Sequence, residues 1–97
     1  MSNYYLTTAI DYSNGKPHVG HAYEKIGADA IARYHRLAGD SVHFVMGMDE
    51  HGQSVAREAE NLGQDPQAWV DGLAASWQEV WGRLQLSNDD FIRTTEP

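Results

Sequence analysis

The change from a strand-like run to a helical pattern lies in Asp11-Tyr12-Ser13-Asn14-Gly15-Lys16-Pro17-His18-Val19-Gly20-His21. Its centre, Asn-Gly followed by a proline, favours a turn because asparagine and glycine tolerate positive φ and proline fixes its own φ. Before the turn, residues 4–10 are rich in aromatic and β-branched side chains, which predicts a strand. After it, apolar side chains recur at steps of three and four from Val19 to Leu37, which predicts a helix with one apolar stripe, ended at Gly39.

The remaining sequence continues this alternation of strand and helix. We expect a strand at residues 41–46, a loop at 47–52, a short helix at 54–62, a longer helix with Asp65 as its N-cap, and a strand from Phe91. The tryptophans of the longer helix are spaced for core packing, and we assign them no chemistry. The order β-α-β-α-α-β predicts an α/β fold with a parallel sheet, of which three strands are the first half only.

Composition and charge restrict the classes of function. The 97 residues have 41% hydrophobic side chains and no cysteine, which predicts one globular piece in a reducing, cytoplasmic compartment, without thiolate zinc ligands. No apolar run approaches the ~20 residues that cross a bilayer, so we expect no membrane partner. Residues 40–97 carry three arginines against eleven acidic residues, a poor surface for a nucleic-acid backbone. An anionic ligand is therefore expected at the first forty residues.

The turn before the first helix carries the densest set of chemical groups. The N-terminus of a helix offers free N–H groups and a partial positive charge, which suits a phosphate. His18 and His21 are three residues apart, so both imidazoles project from the same side and can stabilise charge on a reacting phosphate. Gly20 lacks a side chain, so a flat adenine or ribose can lie against the backbone.

A second group of polar residues follows the second strand, in Gly47-Met48-Asp49-Glu50-His51-Gly52. In a parallel sheet this segment lies at the same carboxyl edge as the histidine turn, so the two can line one pocket. A carboxylate there can bind a ligand ammonium. A metal site made of His18, His21 and either Asp49 or His51 is an open alternative.

These residues resemble a known family. The stretch from Tyr12 to His21 is similar to the His-Ile-Gly-His signature region of class I aminoacyl-tRNA synthetases, with Val19 in place of isoleucine. Gly47-Met48-Asp49-Glu50-His51-Gly52 resembles the Gly-Thr-Asp-Glu-His-Gly segment of the methionyl-tRNA synthetases, and Asp89-Asp90-Phe91-Ile92-Arg93-Thr94-Thr95-Glu96 resembles a third segment of that family. Asp11 stands where many members have proline or tyrosine.

The resemblance implies that residues 1–97 are the N-terminal part of a Rossmann-type catalytic domain, with no second domain. The implied enzyme is a methionine-tRNA ligase, which activates methionine with ATP and Mg²⁺ and transfers it to tRNA. The implied catalytic residues are His18 and His21. The implied ATP-binding residues are Tyr12, Asn14, Pro17, His18, Gly20 and His21. The implied methionine-binding residues are Ala9, Ile10, Tyr12 and Asp49, of which Asp49 binds the α-amino group.

The resemblance also implies that tRNA is bound mainly by regions outside this chain. Whether a cysteine-ligated zinc insertion follows residue 97 stays open, and these residues contain no thiolate ligands for it. We expect the 97 residues alone to be inactive in aminoacylation, because the family's lysine-bearing ATP loop is far downstream and Lys25 is the last lysine here. Two alternatives remain: a small nucleotidylyltransferase with a His-x-Gly-His loop, and a metal-binding module without catalysis.

Overall fold

The computed structural model describes residues 2–12 and 15–96. In these residues it contains four strands and three helices: β1 Asn3–Thr7, β2 Asp11–Tyr12, α1 Val19–Leu37, β3 Ser41–Asp49, α2 Gln53–Asn61, α3 Pro66–Arg83 and β4 Asp90–Arg93. All strand pairs are parallel, which confirms the predicted α/β fold with a parallel sheet. Among these residues, no helix combines the length and the apolar character that crossing a membrane requires.

The strand β3 is the centre of the sheet. Its residue Val45 is paired with Thr7 of β1 and also with Asp90 of β4. Met48 is likewise paired with Asp11 of β2 and with Arg93 of β4. Because a strand has only two edges, β1 and β2 lie along one edge of β3 and β4 lies along the other.

The first predicted strand is interrupted by a bulge. Between the pairs Thr7–Val45 and Asp11–Met48, the first strand advances four residues while β3 advances three. One residue is therefore extra, and the pairing is broken at residues 8–10. The predicted continuous strand at residues 4–10 is wrong in this respect, and Asp11 and Tyr12 belong to the sheet rather than to the turn.

The second strand is longer than the sequence suggested. We expected a loop from Gly47, but β3 continues to Asp49. Gly47 is a strand residue because the neighbouring strands approach it closely: a Cβ there would lie 2.6 Å from the carbonyl oxygen of Ile92 and 2.9 Å from the Ile10 side chain. Glycine marked close packing here and not a turn.

The helix boundaries agree with the sequence signals. The helix α1 spans the predicted residues, and Gly39 follows it with a φ of +92°. In α3, the Asp65 side chain accepts a hydrogen bond from the Ala68 N–H at 3.2 Å, and Pro66 is the first helical residue. Both ends are set by local cap chemistry.

The core lies on one face of the sheet, where α3 supplies most of the apolar surface. Phe44, Met46 and Met48 alternate along β3 and therefore point to the same face. They belong to a buried cluster that also contains Ala32, Val55, Ala59, Trp69, Val70, Leu73, Ala74, Trp77 and Trp81. The predicted core role of the three tryptophans is confirmed.

The apolar stripe of α1 lies mostly away from this core in the part of the chain described. Its exposed members are Val19, Tyr23, Ile26, Ile31, Tyr34 and Leu37. The buried residues of α1 are instead Lys25, Asp29 and Ala32. Two of these three are charged, so hydrophobic spacing alone indicated the wrong side of the helix.

Asp29 connects α1 to the segment before β4. Its Oδ1 accepts hydrogen bonds from the backbone N–H and the hydroxyl of Ser87, at 2.8 Å and 2.5 Å. The Arg33 Nε donates to Oδ2 at 2.8 Å. Burial alone raises the pKa of Asp29, but the hydrogen bonds from Ser87 and Arg33 outweigh it, and the pKa lies below its ordinary value.

We expect Asp29→Ala to lower the free energy of unfolding by about 2 kcal/mol at neutral pH, because it removes charge-assisted hydrogen bonds. Since the folded-state pKa is lowered, this contribution is fully present above the unfolded pKa of about 4 and disappears as the pH falls through the folded-state value. Urea denaturation of the 97-residue chain, followed by tryptophan fluorescence at neutral and strongly acidic pH, measures both. Glu58→Ala, at an exposed acid of α2, is the control. An Asp29 effect of equal size at both pH values would contradict the assignment.

Candidate active site

The site lies where two neighbouring strands end. Tyr12, the last residue of β2, is paired with Asp49, the last residue of β3. The turn to α1 leaves β2 at this point, so the histidine turn and the acidic segment share one edge, as predicted. At this edge Tyr12 is paired with Asp49, and at the beginning of α1 His18, Gly20 and His21 contact one another.

The helix α1 begins with a cap made of two histidines. His18 is the N-cap, with an extended backbone at φ −131° and ψ −179°. Its Nδ1 accepts a hydrogen bond from the Gly20 N–H at 3.0 Å. In return, the His18 N–H donates to Nδ1 of His21 at 3.1 Å. This reciprocal pair is a capping box in which imidazoles replace the usual hydroxyl and carboxylate.

The cap selects one tautomer for both neutral imidazoles. Each Nδ1 accepts a hydrogen bond from a backbone N–H and therefore carries no hydrogen itself, so the ring hydrogen is assigned to Nε2. The two rings lie 3.9 Å apart, centroid to centroid, at an angle of 42°. The arrangement presents two Nε2–H donors side by side at the beginning of α1.

The electrostatic setting of these donors favours an anion. The first turn of α1 contains no acidic residue, so the partial positive charge of the helix N-terminus is not cancelled there. The His18 and Gly20 positions are exposed, and His21 is half-buried. Donors, helix dipole and accessibility together suit a phosphate or another oxyanion.

Gly20 has a structural reason of its own. A Cβ at this position would lie 2.9 Å from Cε1 of the His18 ring. A larger residue would therefore push the capping imidazole out of its position. This steric requirement for glycine is separate from the predicted role of Gly20, which is to let an adenosine lie against the backbone.

The bulge of the first strand is held by a buried lysine that the sequence did not single out. The Lys25 ammonium is fully buried and contacts the Ala9 carbonyl at 3.0 Å and the Asp11 carboxylate at 2.9 Å. It also forms an ion pair with Glu24. Asp11, to which we had given no role, is the partner of this lysine. In the sequence, the feature that could have indicated this contact was a lysine on the side of α1 that the strands cover.

Tyr12 is fixed by the segment that follows β3. Its hydroxyl accepts a hydrogen bond from Ser54 Oγ at 2.8 Å. A Cβ at Gly52 would lie 2.1 Å from that hydroxyl oxygen, and Gly52 has a φ of +127°. Glycine is required there both for space and for backbone conformation.

The acidic segment contains two carboxylates with different surroundings. Glu50 is buried and forms an ion pair with Arg93, and it also accepts from the Thr95 hydroxyl at 2.6 Å. A hydrogen bond to Asp71 is the main cause that raises the pKa of Arg93, and Glu50 adds to it. Glu50 therefore joins β3 to β4. Asp49 is half-buried at the strand end, and its Oδ1 lies 3.4 Å from the His51 N–H.

The other predicted residues have less defined surroundings. Ala9 and Ile10 lie on the bulge and are exposed, and Ile10 packs beside Gly47. Pro17 is half-buried directly before the cap. Asn14 lies outside the described residues. Their roles in binding ATP or methionine stay predictions.

The alternative of a metal site finds no support in this geometry. Across residues 2–12 and 15–96, no three histidine, aspartate or glutamate side chains come together as a metal-binding group. His51, one of the candidate ligands, has its Nε2 3.1 Å from the Thr94 carbonyl oxygen.

Comparison with known proteins gives a consistent result. The family model for class I tRNA synthetases (M) matches residues 4–97. The methionine–tRNA ligase of Deinococcus radiodurans is 56% identical over 93 residues, which cover 95% of this chain and 14% of that protein. Methionine–tRNA ligase 1 of Bacillus cereus is 50% identical over 94 residues, again covering 14% of the relative.

A solved structure agrees with these relatives. The methionyl-tRNA synthetase of Mycobacterium tuberculosis, bound by methionyl-adenylate, matches with a TM-score of 0.95 and 48% identity over 97% of this chain and 19% of that one. Because the family match runs from residue 4 to residue 97 and these relatives share about half of their residues with it, the chain belongs to the class I methionyl-tRNA synthetases.

Proposed function

We propose that this chain is the N-terminal part of the catalytic domain of a methionine-tRNA ligase. In this reaction a carboxylate oxygen of methionine attacks the α-phosphorus of ATP, and the bond to pyrophosphate breaks. The observation that carries the proposal is the two-histidine cap at the phosphate-binding end of α1. The related synthetase whose structure contains methionyl-adenylate supports it.

The cap is the part of the chain suited to ATP. Nε2–H groups of His18 and His21 would donate to phosphate oxygens, whose negative charge grows as pyrophosphate leaves. Because each ring already uses Nδ1 in the cap, its orientation is set before the nucleotide arrives. Tyr12, Asn14, Pro17 and Gly20 would complete the ATP site. Mg²⁺ would come with the nucleotide, since the described residues contain no cluster that holds a metal.

The end of β3 is the part suited to methionine. The Asp49 carboxylate would bind the α-ammonium group, because it is half-buried at the carboxyl end of β3 and is paired with Tyr12 of β2. Ala9, Ile10 and Tyr12 would border the methionine side chain. Ile10 is partly exposed and would supply an apolar contact to that side chain.

The remaining partner of the reaction is tRNA. The chain spans 14% of the length of the relatives reported above, and its residues from 40 onward are strongly acidic. We therefore propose that tRNA binds mainly through other parts of the full-length enzyme, in the cytoplasm. The isolated 97 residues are still expected not to charge tRNA.

We expect His21→Ala in the full-length enzyme to slow methionine-dependent ATP–pyrophosphate exchange by roughly 10²–10³-fold, because one donor to the transition state is lost. Exchange within threefold of wild type would contradict the role. A nucleotidylyltransferase acting on another substrate would show no dependence on methionine. The same assay therefore distinguishes the proposed function from this main alternative.

His18 allows the cap and the chemistry to be separated. Asparagine is among the best N-cap residues, whereas an alanine at an N-cap costs about 1 kcal/mol. We expect His18→Asn to keep the stability of the enzyme and lose exchange activity, and His18→Ala to lose both. Thermal unfolding and pyrophosphate exchange measure the two effects. An active His18→Asn enzyme would mean that the Nε2–H donor of His18 is not required.

We expect Asp49→Ala to weaken methionine binding by about 10- to 100-fold while ATP binding changes little, because a charge-assisted contact to an ammonium is lost. Calorimetry with each substrate measures the two affinities. Glu58→Ala, which removes an exposed carboxylate of α2, is the matched control. A loss of ATP affinity with methionine affinity unchanged would reverse the assignment.

A further inference from the structure

Trp77 makes a polar contact that its core position did not predict. It lies in α3 with only 1% of its surface exposed. Its indole Nε1–H donates a hydrogen bond of 2.9 Å to the carbonyl oxygen of Gly15, 62 residues earlier in the chain. Gly15 lies in the turn that leads into the cap of α1. A core side chain therefore holds the backbone of this turn.

The same indole also contacts the cap itself. Its ring lies 4.8 Å from the His21 ring, at an angle of 61°, which is an edge-to-face arrangement. The next contact in this row is between His21 and His18. The three rings thus form a continuous series from α3 to the N-cap.

We propose that Trp77 is a positioning residue for the two histidines, an inference that rests on the proposed function. Its N–H group fixes the carbonyl of Gly15, and only two residues separate Gly15 from His18. The backbone N–H of His18 donates a hydrogen bond to Nδ1 of His21, so the position of His18 affects the orientation of the His21 ring. His21 also packs against the Trp77 ring. Both contacts that orient His21, the hydrogen bond from His18 and this ring contact, therefore depend on the Trp77 side chain.

Trp81 provides a control with the same chemistry and different connections. It is also buried, with 3% exposure, and its ring packs 5.8 Å from that of Trp77. Its Nε1 has no hydrogen-bond partner within residues 2–12 and 15–96. Replacing either tryptophan by phenylalanine removes an indole N–H from the same core, but only the Trp77 change frees the turn.

The experiment compares Trp77→Phe with Trp81→Phe in the full-length enzyme. We expect Trp77→Phe to lower kcat of pyrophosphate exchange by about tenfold, the effect of one lost hydrogen bond, while KM for methionine stays within twofold. Trp81→Phe is expected to keep kcat within threefold of wild type at a similar loss of thermal stability. Equal kcat for both variants would overturn the inference.

A second readout does not depend on the enzymatic reaction. In protein labelled with ¹⁵N-histidine, NMR reports which ring nitrogen of His21 carries the proton. We expect the Nε2–H tautomer in wild type and Trp81→Phe, and a mixture in Trp77→Phe. An unchanged His21 tautomer in Trp77→Phe would overturn the inference, whatever the exchange assay shows. A lack of methionine-dependent exchange in the wild-type enzyme would separately refute the proposed function.

An isosteric replacement covers the case in which Trp77→Phe does not fold. Substituting 3-benzothienylalanine at position 77 keeps the bicyclic ring and replaces only the N–H by sulfur. The same fall in kcat and the same tautomer mixture are expected. A fully active enzyme with this residue would show that the ring alone suffices and that the hydrogen bond to Gly15 does not position the cap.

Discussion

The buried charge of Lys25 constrains the architecture around the site. An ammonium group without solvent contact is unfavourable unless it is paired and hydrogen-bonded. Here the pairing requires the Ala9 carbonyl and the Asp11 carboxylate to turn toward α1, which is possible because the strand bulges at these residues. The bulge thus allows Lys25 to be paired, and the paired lysine holds the helix against the strand end. Tyr12, the last residue of β2, directly follows Asp11, so the end of this strand is held by the same ion pair.

The central strand brings the two halves of the site together. Because β3 continues through Gly47 to Asp49, this residue lies beside Tyr12 at the end of β2. Gly47 makes this possible, since any side chain there would collide with β4 and with the bulge. The end of β2, from which the chain runs to the histidine cap, and the Asp49 carboxylate therefore belong to one edge of the sheet.

The sequence predicted what local chemistry controls. The ends of α1 and α3 follow from caps within a few residues, and the parallel sheet follows from the order of elements. The extent of β3 was not predicted because a glycine in sequence suggests a turn. Gly47 is instead required by the close approach of Ile92, which is distant in the chain. The buried side of α1 was missed because Lys25 and Asp29 are charged, and their burial is offset by partners 14 and 58 residues away. Spacing rules contain no information on such pairs.

The histidine cap joins stability and chemistry in the same atoms. An imidazole has two nitrogens, and the cap occupies one of them in each ring, which leaves the other as a directed donor. An aspartate would cap the helix as well but would leave no hydrogen-bond donor for a phosphate. Stability alone therefore does not explain two histidines at this helix end, whereas the proposed function, which requires oriented donors, does. It follows that whatever holds the rings in the cap, including a tryptophan on another helix, also controls the direction of the donated hydrogen bonds.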